Sequence, residues 1–514
     1  MTKKINFLLF IILSLSILLM VTKQSLLQHW SAQWDLDFWY IYNASLMSSG
    51  IQQEWYDHPA TTIFSLYSFF YKIYSLFDHS FIYKINEIVE SNNPDLLLQK
   101  LYFVTRIFDS INIILIIFFT FKISKILSSK DIYAYFLTLI LISSVTFLDN
   151  ISLLNPEDWA VLFFLMSFYY FIRFFIESKI TFLILSGMFF SFSFFSKISI
   201  LFMFLFIIPL IPIFYQIYAT KNSSLIQKII DKKFLILFIG YLLVLIIYSI
   251  IQIFVFSKLT PFEANGVLDV VFILFINFSY IFFFLIISKF NTTKFKTYFL
   301  IFLLFMIGFL LGLVIFLLTD FLNLTKLNPW LIFHLTNPFN EMMRFSISPE
   351  GSISSTDLVN STSFYLSQLF SQFLFDKFLL IILIPILSIS LFKDIKNKNT
   401  YNFIFKLIIF VGFMVNVLLF NFRFWIQYSI YVYVLYIILV SSCLKDLSNK
   451  INYFVCIILF SYTLIFLPIQ SVGAFKLAVL TKPSQLERIC KTGLDEFKIY
   501  SKEFNKNTYK KLCS

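Results

Sequence analysis

Long apolar runs follow one another along this chain from 5–22 to 453–469, and they restrict its fold more than any other feature. About twenty helical residues span about 30 Å of hydrocarbon, so each run is a candidate membrane crossing. In lipid, unsatisfied backbone N–H and C=O groups are so costly that only helices and closed barrels cross. The runs lack the inward–outward alternation of barrel strands, and they therefore predict helices. Breaking the chain at its charged residues gives about thirteen such spans, each close to the length a crossing needs. They lie near 5–22, 102–121, 132–148, 158–176, 180–195, 198–218, 234–257, 267–288, 298–319, 374–392, 403–421, 424–443 and 453–469. The expected fold class is an all-α polytopic membrane protein.

Only 13% of the 514 residues are charged, and the net charge is +12. A basic excess suits nucleic acid or another acidic partner, yet membrane proteins also accumulate Lys and Arg on the cytoplasmic side. No nucleic-acid module accompanies the charge, so no nucleic-acid partner is expected. With the N-terminus in the cytoplasm, every second connection is basic: Lys122, Lys125 and Lys130, then Arg173 and Lys179, then Lys221, Lys228, Lys232 and Lys233. The alternation continues through Lys289, Lys294 and Lys296, then Lys393, Lys396 and Lys398, then Lys445 and Lys450. This predicts a multi-pass protein of the plasma (inner) membrane with its C-terminus on the outer side. The first run is read as an uncleaved span, because no small-residue cleavage site follows Met20.

Three segments then face outward: a first loop (22–101), a second large loop (320–373) and a basic tail (470–514) that follows the transmembrane domain (1–469). Residues Ala60 to Phe77 are apolar but carry Tyr67, Tyr71, Tyr74 and Lys72. They predict a helix lying in the interface, since a crossing here would invert every later connection. Cys443 and Cys456 fall at cytoplasmic span ends. Cys490 and Cys513 fall in the tail, where an oxidising compartment accommodates a disulfide or two thiols.

The acidic residues of the outer connections are the candidates for chemistry. Asp35 and Asp37 flank Leu36 among Trp34, Phe38, Trp39 and Tyr40, a setting for a carboxylate that is ionised yet partly dry, as a general base is. An aromatic belt with two solvated charges would look the same. Asp57 and His58 precede Pro59, which is also ordinary helix-start chemistry, as are Glu157 and Asp158 after Pro156. Isolated cations lie at the same depth: Lys197 after "SGMFFSFSFFS", Arg423 within "LLFNFRFWIQY", and Arg106 one helical turn from Asp109. Ionisable groups in spans are costly and need a partner or a task. Arg106 and Asp109 form a natural internal pair. For Lys197 and Arg423, a lipid phosphate is a natural counter-charge, and snorkelling to the interface is the other reading.

The order of these motifs resembles the GT-C integral-membrane glycosyltransferases, which include protein O-mannosyltransferases and lipid A aminoarabinose transferases. "DLDFWYIYNASLMSSG" followed by "DHPATTIFSLYSFF" resembles the family's acidic first loop and its "HPP" motif. "NPEDWAVLFFLMSF" resembles the acidic second outer loop, "SGMFFSFSFFSKISILF" the span ending in Lys, and "FRFWIQYSIYVYVLYIIL" the late Arg-then-Tyr span. The resemblance implies transfer of a hexosyl or pentosyl group, with inversion, from a polyprenyl-phosphate sugar to a glycan, lipid or protein acceptor at the outer face. It implies Asp37 as the base, or Asp35 if the register slips by two. Substrate contacts would come from Asp57, His58, Glu157, Asp158, Lys197, Arg423, Tyr428 and Arg106. No cofactor is fixed, since relatives differ in metal use; the oxygen ligands Asp37, Glu157 and Asp158 would suit Mg²⁺ or Mn²⁺. The chain departs from the pattern at Asp-Leu-Asp, where relatives have adjacent acids, and at Ala60, where they have a second proline.

The 320–373 loop matches no motif of that family, and its His334, Glu341 and Arg344 suit an acceptor site, a lid or a plain surface loop. A transporter or flippase would place its charges near the midplane on broken helices. A lipid-linked glycan polymerase or ligase would carry a large outer loop rich in Arg and His. Acids gathered at one face favour transfer chemistry over transport, and the 320–373 loop is modest in both Arg and His.

Overall fold

The computed structural model describes residues 28–30, 37–54, 61–144, 147, 154, 156–197, 200, 203, 205–218, 223–253, 266–324, 377–421, 429–448, 450–459, 461–462, 465, 503–504 and 506–513. The regular elements among them are helices, with no strand. Helices α1 (Trp39–Ser48), α2 (Thr61–Phe77) and α3 (Ile85–Glu90) form the described part of the first large loop. They lead into α4 (Pro94–Ser128), α5 (Asp131–Ile142), α6 (Pro156–Glu177), α7 (Ile180–Ser196) and α8 (Leu210–Tyr218). Then come α9 (Ser223–Ile251), α10 (Gly266–Ile287), α11 (Thr292–Leu324), α12 (Lys377–Lys396), α13 (Thr400–Asn421) and α14 (Ser429–Leu444). Short helices α15 (Lys450–Leu459) and α16 (Lys506–Cys513) complete the described set.

Seven of these helices are long and apolar enough to cross a membrane: α4, α6, α9, α10, α11, α12 and α13. The apolar helices α5, α7, α14 and α15 are shorter, at 10–17 residues. The run at 5–22 lies outside the described residues, and the described residues of 198–218 include helix α8 (Leu210–Tyr218). Polarity is arranged as lipid demands. Ile236, Val244, Phe275, Phe282, Ile381 and Phe454 point outward, whereas Arg106, Asp109, Asn112, Lys406 and many serines are buried.

Helix α4 shows how local chemistry positions the site. Asn93 caps it by accepting from the Leu96 N–H at 3.3 Å, Pro94 fills the first turn, and Ser129 ends it in the left-handed region (φ 62°). At 35 residues and ~1.5 Å per residue it exceeds the thickness of a bilayer core, so part of its length must project from the hydrocarbon. That projection receives the chain before α1: Trp30 Nε1 donates to Asp95 Oδ1 at 2.8 Å, and Gln99 Nε2 donates to the Gln28 carbonyl at 3.0 Å.

The tail docks at the same end. The Glu503 N–H donates to the Tyr42 hydroxyl at 3.3 Å, Lys511 Nζ donates to the Ser91 carbonyl at 2.6 Å, and Phe504 packs on Phe38 and Tyr42. The two segments that the charge alternation assigns to one side thus lie together. At the other end, Lys-bearing connections gather: Lys406 is buried against Asp394 (2.5 Å) and Asp446, and Lys393 donates to the Asp446 carbonyl. Of the four cysteines, Cys443 and Cys456 are buried free thiols; Cys490 lies outside the described residues.

Helix α7 is clasped between α6 and α11. Ser167 and Ser186 each donate to the other's carbonyl at 2.8 Å, and Ser193 Oγ donates to the Ala160 carbonyl at 2.6 Å. On the α11 side the backbones nearly touch: a Cβ on Gly187 would lie 1.9 Å from the Phe305 carbonyl oxygen, and one on Gly308 2.1 Å from that of Ile184. Gly308 and Gly312 form the small-x-x-x-small stripe that such close crossings use. Because the clash is with backbone on both sides, Gly308→Ala is expected to force the helices apart at a cost of ~1–3 kcal/mol. A lower melting temperature of the purified variant in detergent checks this, with Gly240→Ala, where a Cβ meets nothing, as the control.

Candidate functional site

Asp37 stands at the N-terminal start of α1, a helix whose ten residues are all buried. An aspartate there faces the positive end of the helix dipole. Its side chain has no solvent exposure (0%). Oδ1 accepts a 2.7 Å hydrogen bond from the Leu154 N–H, which ties α1 to the segment leading into α6. Among the described residues Oδ2 closes no hydrogen bond, although the Tyr102 hydroxyl and the Arg106 guanidinium are near enough to act on it. Burial pushes the Asp37 carboxyl up to about 7, against the downward pull of Arg106, of the Leu154 N–H and of Tyr102.

Helix α4 supplies one wall. Tyr102, Arg106 and Asp109 recur at helical spacing and so share a face, and all three are buried. Arg106 Nη1 and Asp109 Oδ2 are 3.7 Å apart. Helix α2 supplies the next wall at the same spacing: the Tyr67 hydroxyl donates to Asp109 Oδ1 at 3.5 Å, and the Tyr71 hydroxyl bonds Thr105 Oγ1 at 2.6 Å. Burial holds the Tyr67 hydroxyl well above its ordinary pKa, so it stays protonated and donates. Trp159 Nε1 of α6 donates to that hydroxyl at 3.2 Å, which joins α6 to α2 and α4.

Glu157 and Asp158 occupy the first turn of α6, and both are buried at 1% exposure. Lys197, just past the end of α7 and equally buried, sits 2.9 Å from Glu157 Oε1. This glutamate is thus one counter-charge of Lys197 within the chain, and the acids and cations of the site interleave. The described acids Asp37, Asp109, Glu157 and Asp158 outnumber the cations Arg106 and Lys197, and Asp109 adds to the upward push on Asp37.

The structure thus brings Asp37, Arg106, Glu157, Asp158 and Lys197 to one end of the bundle. Asp35, Asp57, His58, Arg423, Tyr428 and the 320–373 loop except its first five residues (320–324) lie outside the described residues. Among the described residues no three His, Cys, Asp or Glu side chains gather as a metal ion requires. The sequence reading missed Tyr67, Tyr102 and Trp159. Their signal was present in the pairs 67/71 and 102/106, each one helical turn apart. No family model and no curated protein matches the chain.

Proposed function

We propose that this protein is an integral-membrane glycosyltransferase of GT-C type, its seven long apolar helices being part of a set of about thirteen spans. In this reading it moves a sugar from a polyprenyl-phosphate donor to an acceptor on the outer face. The observation that carries the reading is Asp37: a buried carboxylate pushed up to about 7, fixed through one oxygen by Leu154, the other making no hydrogen bond among the described residues. A base serves best when its pKa lies near the working pH. In the step assigned to it, Oδ2 takes the acceptor hydroxyl proton as the acceptor oxygen bonds the anomeric carbon. The bond from that carbon to the phosphate oxygen breaks, and polyprenyl phosphate leaves with the electron pair. A single displacement inverts the anomeric centre. Lys197 and Arg106, with Arg423 outside the described residues, are the cations assigned to the charge that develops on the phosphate.

Two measurements test the proposal. Purified protein incubated with a panel of polyprenyl-phosphate sugars should release polyprenyl phosphate, read by mass spectrometry; movement of substrate across vesicles with no transferred sugar would favour a transporter instead. The orientation is tested with a membrane-impermeant maleimide in a cysteine-free background. Ser80→Cys, on the first loop, should label in intact cells, and Lys398→Cys, between α12 and α13, only after permeabilisation. The reverse pattern would put Asp37 on the cytoplasmic side and remove the outer-face reaction.

A further inference from the structure

A cleft of about 310 Å³ opens between the end of α2 and the projecting part of α4. Tyr74, Asp78 and Phe81 line one side, Gln99, Lys100 and Phe103 the other, with Val104 beneath. Its volume falls at the lower end of small-ligand sites, ~300–1,000 Å³. The aromatic rings form a corner, Tyr74 and Phe81 meeting edge to face at 4.8 Å and 73°. Such faces receive the flat C–H side of a sugar ring as readily as any apolar surface.

The polar groups suit hydroxyls. Asp78 is held by its own turn, with Oδ1 accepting from the Ser80 N–H (3.0 Å) and Ser80 Oγ (2.6 Å), which leaves Oδ2 as an oriented acceptor. Gln99 is engaged with the Gln28 carbonyl and the Trp30 N–H, so it shapes the wall. Lys100 is exposed at the rim and near enough to Asp78 to act on its charge. A carboxylate accepts from two hydroxyls and an ammonium donates to a third, a pattern that a plain lipid tail cannot use.

The cleft also backs directly onto the candidate site. The Tyr71–Thr105 hydrogen bond and Phe81, packed on Tyr71 at 5.9 Å, form the partition between them. Phe103 lines the cleft while Tyr102 and Arg106 line the site on the same helix, where three residues rise only ~4.5 Å.

We propose that this cleft binds carbohydrate, a sugar ring lying against Tyr74, Phe81 and Phe103 with its hydroxyls held by Asp78 and Lys100. Its role as the docking subsite of a glycan acceptor rests on the glycosyltransferase reading; its capacity to bind glycan does not. The test uses full-length protein in phosphatidylcholine nanodiscs and short fluorescent oligosaccharides of hexose, N-acetylhexosamine and deoxyhexose. At least one class should bind, and Tyr74→Ala, Asp78→Asn and Lys100→Ala should each weaken it at least tenfold. Lys100 is exposed at the rim, so its truncation tests binding apart from folding. Where transfer is measurable, the same variants should raise KM for acceptor and leave kcat unchanged. Binding without any transfer would sink the enzyme reading and keep the cleft as a glycan site. Transfer with unchanged acceptor KM in all three variants, binding by no oligosaccharide, or displacement of bound sugar by phosphatidylglycerol alone would overturn the cleft proposal.

Discussion

Asp37→Asn is expected to lower sugar transfer by ~10²–10⁴ while leaving abundance and insertion unchanged, the loss typical of removing a general base. Asparagine keeps the oxygen that accepts the Leu154 N–H, so the tie between α1 and the segment before α6 survives. In the wild type, activity should rise with pH and level off above about 7, because the deprotonated Asp37 is the active form. Stability should move the opposite way. The carboxyl is raised in the folded chain from 3.8 to about 7, so the native state holds a proton that the unfolded chain has released. Its favourable contribution is complete below about 3.8 and is lost as pH rises through about 7, by roughly 4 kcal/mol at ~1.4 kcal/mol per pH unit. Above pH 7 the Asn variant should therefore melt no lower than wild type, and higher if burial dominates. A variant that is inactive yet at least as stable at pH 8 identifies a group kept for chemistry. Near-normal transfer by both Asp37→Asn and Asp35→Asn would remove the base from the mechanism.

The helical, membrane-crossing character was legible because hydrocarbon imposes one rule on every span, and that rule is visible as run length. Run length says less about where each helix begins and ends. The 132–148 run contains a twelve-residue helix, α5, whose Ser143 and Ser144 donate to the Ile140 and Leu141 carbonyls, and serines that back-bond in this way compete with a continuing helix. The acids of the site were legible for a different reason: in an apolar chain an ionisable residue has to be explained. Their partners were harder to read. Glu157 and Lys197 stand forty residues apart and meet only because α6 and α7 form a hairpin clasped by Ser167 and Ser186. Nothing local in the sequence carries that pairing. Tyr67, Trp159 and Asp109 likewise come from three separate helices and meet only in the fold.

The Glu157–Lys197 pair should show the largest effect on stability. Both groups are at 1% exposure, 2.9 Å apart, so each single neutralisation takes from a buried charge the counter-charge it meets at this distance. Lys197→Met and Glu157→Leu are each expected to cost ~3–5 kcal/mol, seen as a large fall in melting temperature in detergent. The double variant should recover most of that loss, because two apolar chains of similar volume need no counter-charge. Additive losses in the double variant would mean that the pair is not the interaction that matters. The double variant also separates folding from function. If Lys197 serves the departing phosphate as well as Glu157, a protein that has regained its stability should still transfer sugar poorly. Recovery of transfer along with stability would leave Lys197 a purely architectural cation and pass the phosphate to Arg106 and Arg423.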